Sequence, residues 1–319
     1  MNWSDHRSET NTRFHSHLGW ESIPARDHFK KPEKGARWGR ITSNSLGFRS
    51  AEVDPSRRLV VVMGDSVVWG WGQGDDKIMP HFLETLVRPV GLQVVNMGVA
   101  GYGLDQHAMN LERHLSSLKN IAVVVMVIST SNDLTDTVSN ARYGAKKPLF
   151  RWESAQDNGP RLTGVPIPRY CLRNVFFKSH ILGTIRSAGW ARGLNMLLDR
   201  VAGDRVLDRP EGERVTRSMI ERVRALAGSR KATTLFVLYP NRADLQKPTA
   251  DHLWFKKTLA ASGAAVIDYR EALVGYDLPQ PVERLYGDDG HLNTVGNQIF
   301  ASAIAQKLRS MSIVPYEPR

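Results

Sequence analysis

Five short apolar runs punctuate the chain: 59–63 (LVVVM), 93–97 (QVVNM), 121–128 (IAVVVMVI), 233–239 (TTLFVLY) and 264–268 (AAVID). Apolarity that is continuous over so few residues, with no polar alternation, predicts strands buried on both faces of a parallel sheet. Between the runs the spacing changes to that of amphipathic helices. Ile78, Phe82, Leu83 and Leu86 follow Asp75 and Asp76, which can cap a helix start. Leu104, Ala108, Leu111, Leu115 and Leu118 share one face from 104 to 118, and Val295, Ile299, Ile304 and Leu308 follow Asn293. Alternating strand and helix predict a doubly wound sheet, a flavodoxin-like three-layer α/β/α sandwich with a central parallel sheet.

Two regions break the alternation. Residues 1–58 carry scattered Gly, Pro, Trp and Arg without periodicity, so they read as an arm laid over a domain spanning 59–310, with 311–319 as a tail. Residues 136–230 read as an insertion able to cap a site: its first part is turn-rich, whereas 172–202 and 212–227 have helical spacing, with Ile181, Ile185, Leu194, Leu197, Leu198 and Val201 apolar.

Composition narrows the classes. The 319 residues are 41% hydrophobic with eight Trp, enough for a substantial core. Cys171 is the only cysteine, which excludes an intramolecular disulfide and a cysteine-based zinc cluster. A formal charge of +11 favours an anionic partner by long-range attraction, yet no run of five basic residues and no nucleic-acid-binding motif accompanies it. A polar amino terminus and the lack of any uninterrupted apolar window of about 18 residues lead us to expect a soluble, cytoplasmic protein without an integral membrane segment.

Four segments carry candidate chemistry, each after an apolar run or before a helix. GDSVVWGWG (64–72) places Ser66 where strand-end loops of an open sheet converge on a crevice. NMGVAGYG (96–103) offers a backbone N–H at Gly101, and STSNDL (129–134) offers the side-chain amide of Asn132. GDDGHLNTVGN (287–297) sets Asp288 three residues before His291, so one loop can supply a base and its orienter. Singly, each is also what a tight turn or cap prefers. Together they outweigh that reading.

In this order the segments resemble the SGNH hydrolases, also called GDSL esterases/lipases. The resemblance implies a serine esterase with Ser66, Asp288 and His291 as catalytic triad. It implies Ser66, Gly101 and Asn132 as oxyanion hole, with neither cofactor nor metal. HLGWESIP and SNSLGFRS, with Asn44, Gly47 and Arg49, resemble the amino-terminal arm of bacterial members. Two departures stand out. Thr130 occupies a position that is often Gly in the family, and Asp289 beside Asp288 leaves a second carboxylate available to His291. The family's range includes lipid esterases, thioesterases and carbohydrate O-deacetylases, with acyl transfer as a variant and a catalytically silent glycan-binding protein as the rival. Trp-rich, basic surroundings favour a short acyl group on a carbohydrate or other polar, anionic acceptor. Arg49, Trp69, Trp152 and Phe177 are the candidate substrate contacts, with Phe176 and Trp190 as further aromatics of the insertion.

Overall fold

The computed structural model describes residues 11–31, 38–143, 145–154, 157–168, 205–274 and 281–315. Its centre is five parallel strands: β1 (Arg58–Met63), β2 (Leu92–Asn96), β3 (Ile121–Ser129), β4 (Thr233–Tyr239) and β5 (Ala265–Asp268), ordered β5-β4-β3-β1-β2. Around them lie α1 (Ser66–Trp69), α2 (Met79–Val87), α3 (Leu104–His114), α4 (Asp133–Thr137), α5 (Arg209–Ser229), α6 (Arg242–Gln246), α7 (Ala250–Ala261), α8 (Tyr269–Val274) and α9 (Thr294–Ser310). The order is flavodoxin-like, and chain direction reverses outward from β1, so a crevice opens at the carboxyl ends of β1 and β3.

The apolar runs are continuous because both faces of the sheet are covered. Val60 and Val62 of β1 pack on one side with Met79 and Leu83 of α2 and Phe300 and Ile304 of α9. Leu59, Val61 and Met63 point the other way, against Leu104 and Leu111 of α3, Val215 and Met219 of α5 and Phe255 of α7. Each such side chain is almost wholly buried and contributes roughly 1.5–3 kcal/mol of transfer free energy.

Some boundaries differ from the sequence expectation. Asp75 and Asp76 lie in a 3-10 turn ahead of α2, which starts at Met79 with Pro80 in its first turn. Asp75 does not cap the helix; its carboxylate accepts from Thr42 N–H and from Arg49. Helix α3 stops at His114, and buried Leu118 closes the following turn through its N–H to the His114 carbonyl. Helix α7 lacks a continuous apolar stripe, with His252, Phe255 and Leu259 its buried positions.

The arm contributes two small antiparallel pairs, Thr12–His15 with Gly19–Ser22 and Asp27–Phe29 with Arg40–Thr42. Trp20 is buried and donates from Nε1 to the Ala100 carbonyl (3.1 Å), while Tyr102 Oη donates to the Trp20 carbonyl and Gln106 Nε2 to that of Leu18 (2.7 Å). Within the 136–230 region, pairs 141–142 with 145–146 and 149–151 with 161–163 lead back to α5. Lys147, fully buried, anchors this segment by an ion pair with Asp105 of α3 (2.6 Å) and by donating to the carbonyls of Asp136 and Ser139. No described helix is long and apolar enough to cross a membrane.

Candidate active site

Strand β1 ends at Met63, and the chain turns at once into α1, with Ser66 as its first residue. Asp65 caps that turn by accepting the Val67 N–H on Oδ1 (2.9 Å). The loop behind is fixed by Arg49, whose guanidinium donates to the carbonyls of Trp69, Gly70 and Gln73 and to Asp75. Burial pulls the Arg49 guanidinium down from its ordinary range, and Asp75 opposes this. Arg49 also stacks on Trp69, 4.5 Å from the ring centre. Both residues were expected to contact substrate. Arg49 is only 4% exposed with its donors committed to the loop, and Trp69 is 3% exposed, so both instead hold the nucleophile turn.

After β2, Asn96 accepts from Gly98 N–H and donates to the Val68 carbonyl, tying this turn to α1. A side chain at Gly98 would strike Trp69 N at 2.5 Å. Gly101 adopts a left-handed φ of 78°, and a Cβ there would meet the Tyr143 ring at 2.6 Å. Neither the Ser66 nor the Gly101 backbone N–H has an acceptor among the described residues.

After β3, Asn132 stands immediately before α4. Its side-chain amide donates to Asp65 Oδ2 (3.1 Å) and to Asp136 Oδ2 (2.7 Å), and its carbonyl oxygen accepts from Ser131. Thr130, the departure from glycine, donates its hydroxyl to Asp244 and accepts the Asn241 N–H, pinning the end of β3 to the loop after β4. Burial, with Asp65 close by, pushes the Asp133 carboxyl well up.

The fourth segment reaches the same crevice. His291 Nε2 lies 2.8 Å from Ser66 Oγ across 225 residues of sequence. The ring's Nδ1 is 3.4 Å from Asp289 Oδ2, within ion-pair distance but without hydrogen-bond alignment. The spacing had selected Asp288. The turn instead bonds Gly290 N–H to the Gly287 carbonyl and His291 N–H to Asp289 Oδ1, which brings Asp289 to the ring. Asp288 is exposed and makes no ion pair among the described residues.

Trp71 was not singled out by sequence. It lies beyond the left-handed turn at Gly70, half-buried, its ring 6.4 Å from that of His291 and 5.2 Å from Trp38. Lys30 Nζ sits 4.2 Å from the centre of the Trp38 ring. Trp152 meets Arg214 (3.6 Å) and Glu211 of α5 rather than any residue of the crevice, and Phe176, Phe177 and Trp190 fall outside the described residues. No group of three or more metal-ligating side chains occurs among the described residues.

Fold and site together define an α/β enzyme of the ester-hydrolase class. A family model described as GDSL-like lipase/acylhydrolase matches residues 62–299, and the chain belongs to that family. The enzyme is accordingly a carboxylic ester hydrolase. Among solved structures, a Bacillus subtilis protein is similar at 14% identity and TM-score 0.45, covering 88% of this chain and 61% of its own length. The chain thus spans less than two thirds of that protein. A lipolytic G-D-S-L family protein of Veillonella parvula matches at 10% identity over 78% of this chain and 97% of its own (TM-score 0.42). A GDSL-like lipase of Bacteroides thetaiotaomicron matches at 14% identity over 82% and 92% (TM-score 0.42). No curated protein sequence matches the chain.

Proposed function

We propose that Ser66 is the nucleophile of this esterase, His291 its base, and Asp289 the carboxylate that orients the imidazole in place of Asp288. The observation that carries this reading is the 2.8 Å contact between Ser66 Oγ and His291 Nε2 at the carboxyl end of β1. His291 takes the hydroxyl proton as Oγ forms its bond to the ester carbonyl carbon. The carbonyl oxygen becomes an oxyanion, received by the N–H groups of Ser66 and Gly101 and by the Asn132 amide. Collapse breaks the bond to the alcohol, which leaves with the proton held by His291. Water then repeats the sequence on the acyl-enzyme and frees the acid.

For the substrate, we favour a short acyl group on a carbohydrate or similar polar acceptor. Trp71, half-buried beside His291, offers a sugar face a flat partner. The test is a chain-length series. p-Nitrophenyl acetate is expected to be hydrolysed faster than butyrate and much faster than octanoate. In a lipase-like site each buried methylene would instead help by up to about 0.8 kcal/mol. A steady rise toward octanoate would defeat the polar-acceptor preference while leaving the serine mechanism standing.

A further inference from the structure

Asn132 has two amide hydrogens, and carboxylates hold both: Asp65 Oδ2 at 3.1 Å and Asp136 Oδ2 at 2.7 Å. An oxyanion donor must release one of them. Asp65 immediately precedes Ser66, so the hydrogen aimed at Asp65 already faces the nucleophile turn, and that bond is the longer one. Asp136 lies one helical turn beyond Asn132, its side chain 2% exposed, and its other oxygen meets Arg142 Nε at 3.0 Å. Arg142, 29% exposed, stacks 4.3 Å from the centre of the Tyr143 ring, the ring that closes over Gly101.

We propose that Asp136, clamped by Arg142, is a positioning residue that fixes the amide plane of Asn132 so that the hydrogen now on Asp65 is the one given to the oxyanion. This rests on the assignment of Asn132 as an oxyanion donor. Only the ionised form of Asp136 can accept from Asn132 on one oxygen while its charge holds Arg142 in an ion pair at the other, and protonation removes that ion pair. The charged and titratable groups facing it are Asp65 from the nucleophile turn, Asp133 on its own helix, and Arg142, Tyr143 and Lys147 from the 141–147 segment. Burial pushes the Asp136 carboxyl up to about 6, against the pull of Arg142, Asn132 and Lys147. The clamp therefore loosens as pH falls through that region.

The experiment is steady-state hydrolysis of p-nitrophenyl acetate across pH by the full chain. Asp136→Ala is expected to lower kcat by about 10- to 100-fold with KM within about twofold, less than loss of a donor itself. Because it acts through Asn132, the Asn132→Ala/Asp136→Ala double variant should be no slower than Asn132→Ala alone, within about twofold. Asp136→Asn keeps an acceptor for Asn132 but cannot titrate. Its acid limb in log kcat/KM should approach a slope of about 1, where the parent approaches about 2. Should Asp136→Ala fail to fold, Arg142→Met at the surface answers the same question: loss of the cation raises the Asp136 pKa, so kcat falls and the acid limb moves to higher pH, with Arg142→Lys recovering most of the rate. Folded Asp136→Ala at the parent rate, independent multiplication of the two defects, or an unmoved limb in Arg142→Met overturns the proposal. Asn132→Ala at the parent rate overturns both it and the oxyanion assignment beneath it, whereas a crippled Asn132→Ala beside an unaffected Asp136→Ala sinks the clamp alone.

Discussion

Replacing Ser66 with Ala is expected to abolish covalent capture of a fluorophosphonate probe and to lower turnover of p-nitrophenyl acetate by about 10⁴-fold or more, while the thermal midpoint hardly moves. Alanine offers no oxygen to form the acyl bond, and the other members of such a site recover little once the nucleophile is gone. The folded state tolerates the change because Ser66 is partly exposed and its hydroxyl bonds only His291 among the described residues. His291→Ala should suppress labelling nearly as far. Undiminished labelling of the Ser66→Ala protein would transfer the nucleophile elsewhere and dissolve the whole reading of the crevice.

The largest expected effect on stability lies away from the crevice. Lys147→Met should lower unfolding free energy by about 3–5 kcal/mol in urea titrations, because it leaves the Asp105 carboxylate buried without its cation. Burial pushes Asp105 up, and Lys147 is the main opposing influence. With the ammonium gone, the folded-state pKa of Asp105 rises further above its unfolded value of about 3.9, so the folded protein holds a proton that the unfolded chain has released. Stability is then lost as pH rises through that window and regained as it falls, and the deficit should be greatest at neutrality and shrink toward pH ~4. In the parent, burial and then the Lys147 charge hold neighbouring His107 down to about 3, so at neutrality it carries no charge. Adding Asp105→Asn to Lys147→Met should restore part of the loss. A deficit that does not vary with pH would mean that packing, not the charge pair, is what Lys147 supplies.

Much of the fold was legible because a doubly wound sheet is written in the sequence twice, once as five apolar runs and again as helical spacing between them. The runs at 121–128 and 233–239 coincide with β3 and β4 almost to the residue, since both strands lie within the sheet and helices cover both of its faces. Helix α7 escaped notice because His252 occupies one of its inward positions, bonded there to Asp268 at 3.0 Å. A buried polar pair erases the apolar period that would reveal the helix. In the candidate site, Ser66, Gly101, Asn132 and His291 were legible as short local patterns after apolar runs or ahead of a helix. What spacing could not give was side-chain direction: the turn at Gly70 buries Trp69 and leaves Trp71 beside His291, and the 287–291 turn brings Asp289 rather than Asp288 to the ring. Asp136 carries no such local pattern, since its ion pair with Arg142 exists only in the folded chain.

The hairpin around Trp20 bears on how this enzyme can be divided. The match to the family begins at residue 62, beyond the entire arm. Yet the indole of Trp20 and the carbonyls of Leu18 and Trp20 bond Ala100, Gln106 and Tyr102, residues that carry or flank the Gly101 turn. A catalytic unit excised at the family boundary would leave the Ala100 carbonyl, the Tyr102 hydroxyl and the Gln106 amide without those partners and open a tryptophan-sized hole beneath the turn. For grafting or shuffling, the smallest portable module is therefore one that starts ahead of Leu18, and a library cut at β1 would be sampling damaged active sites.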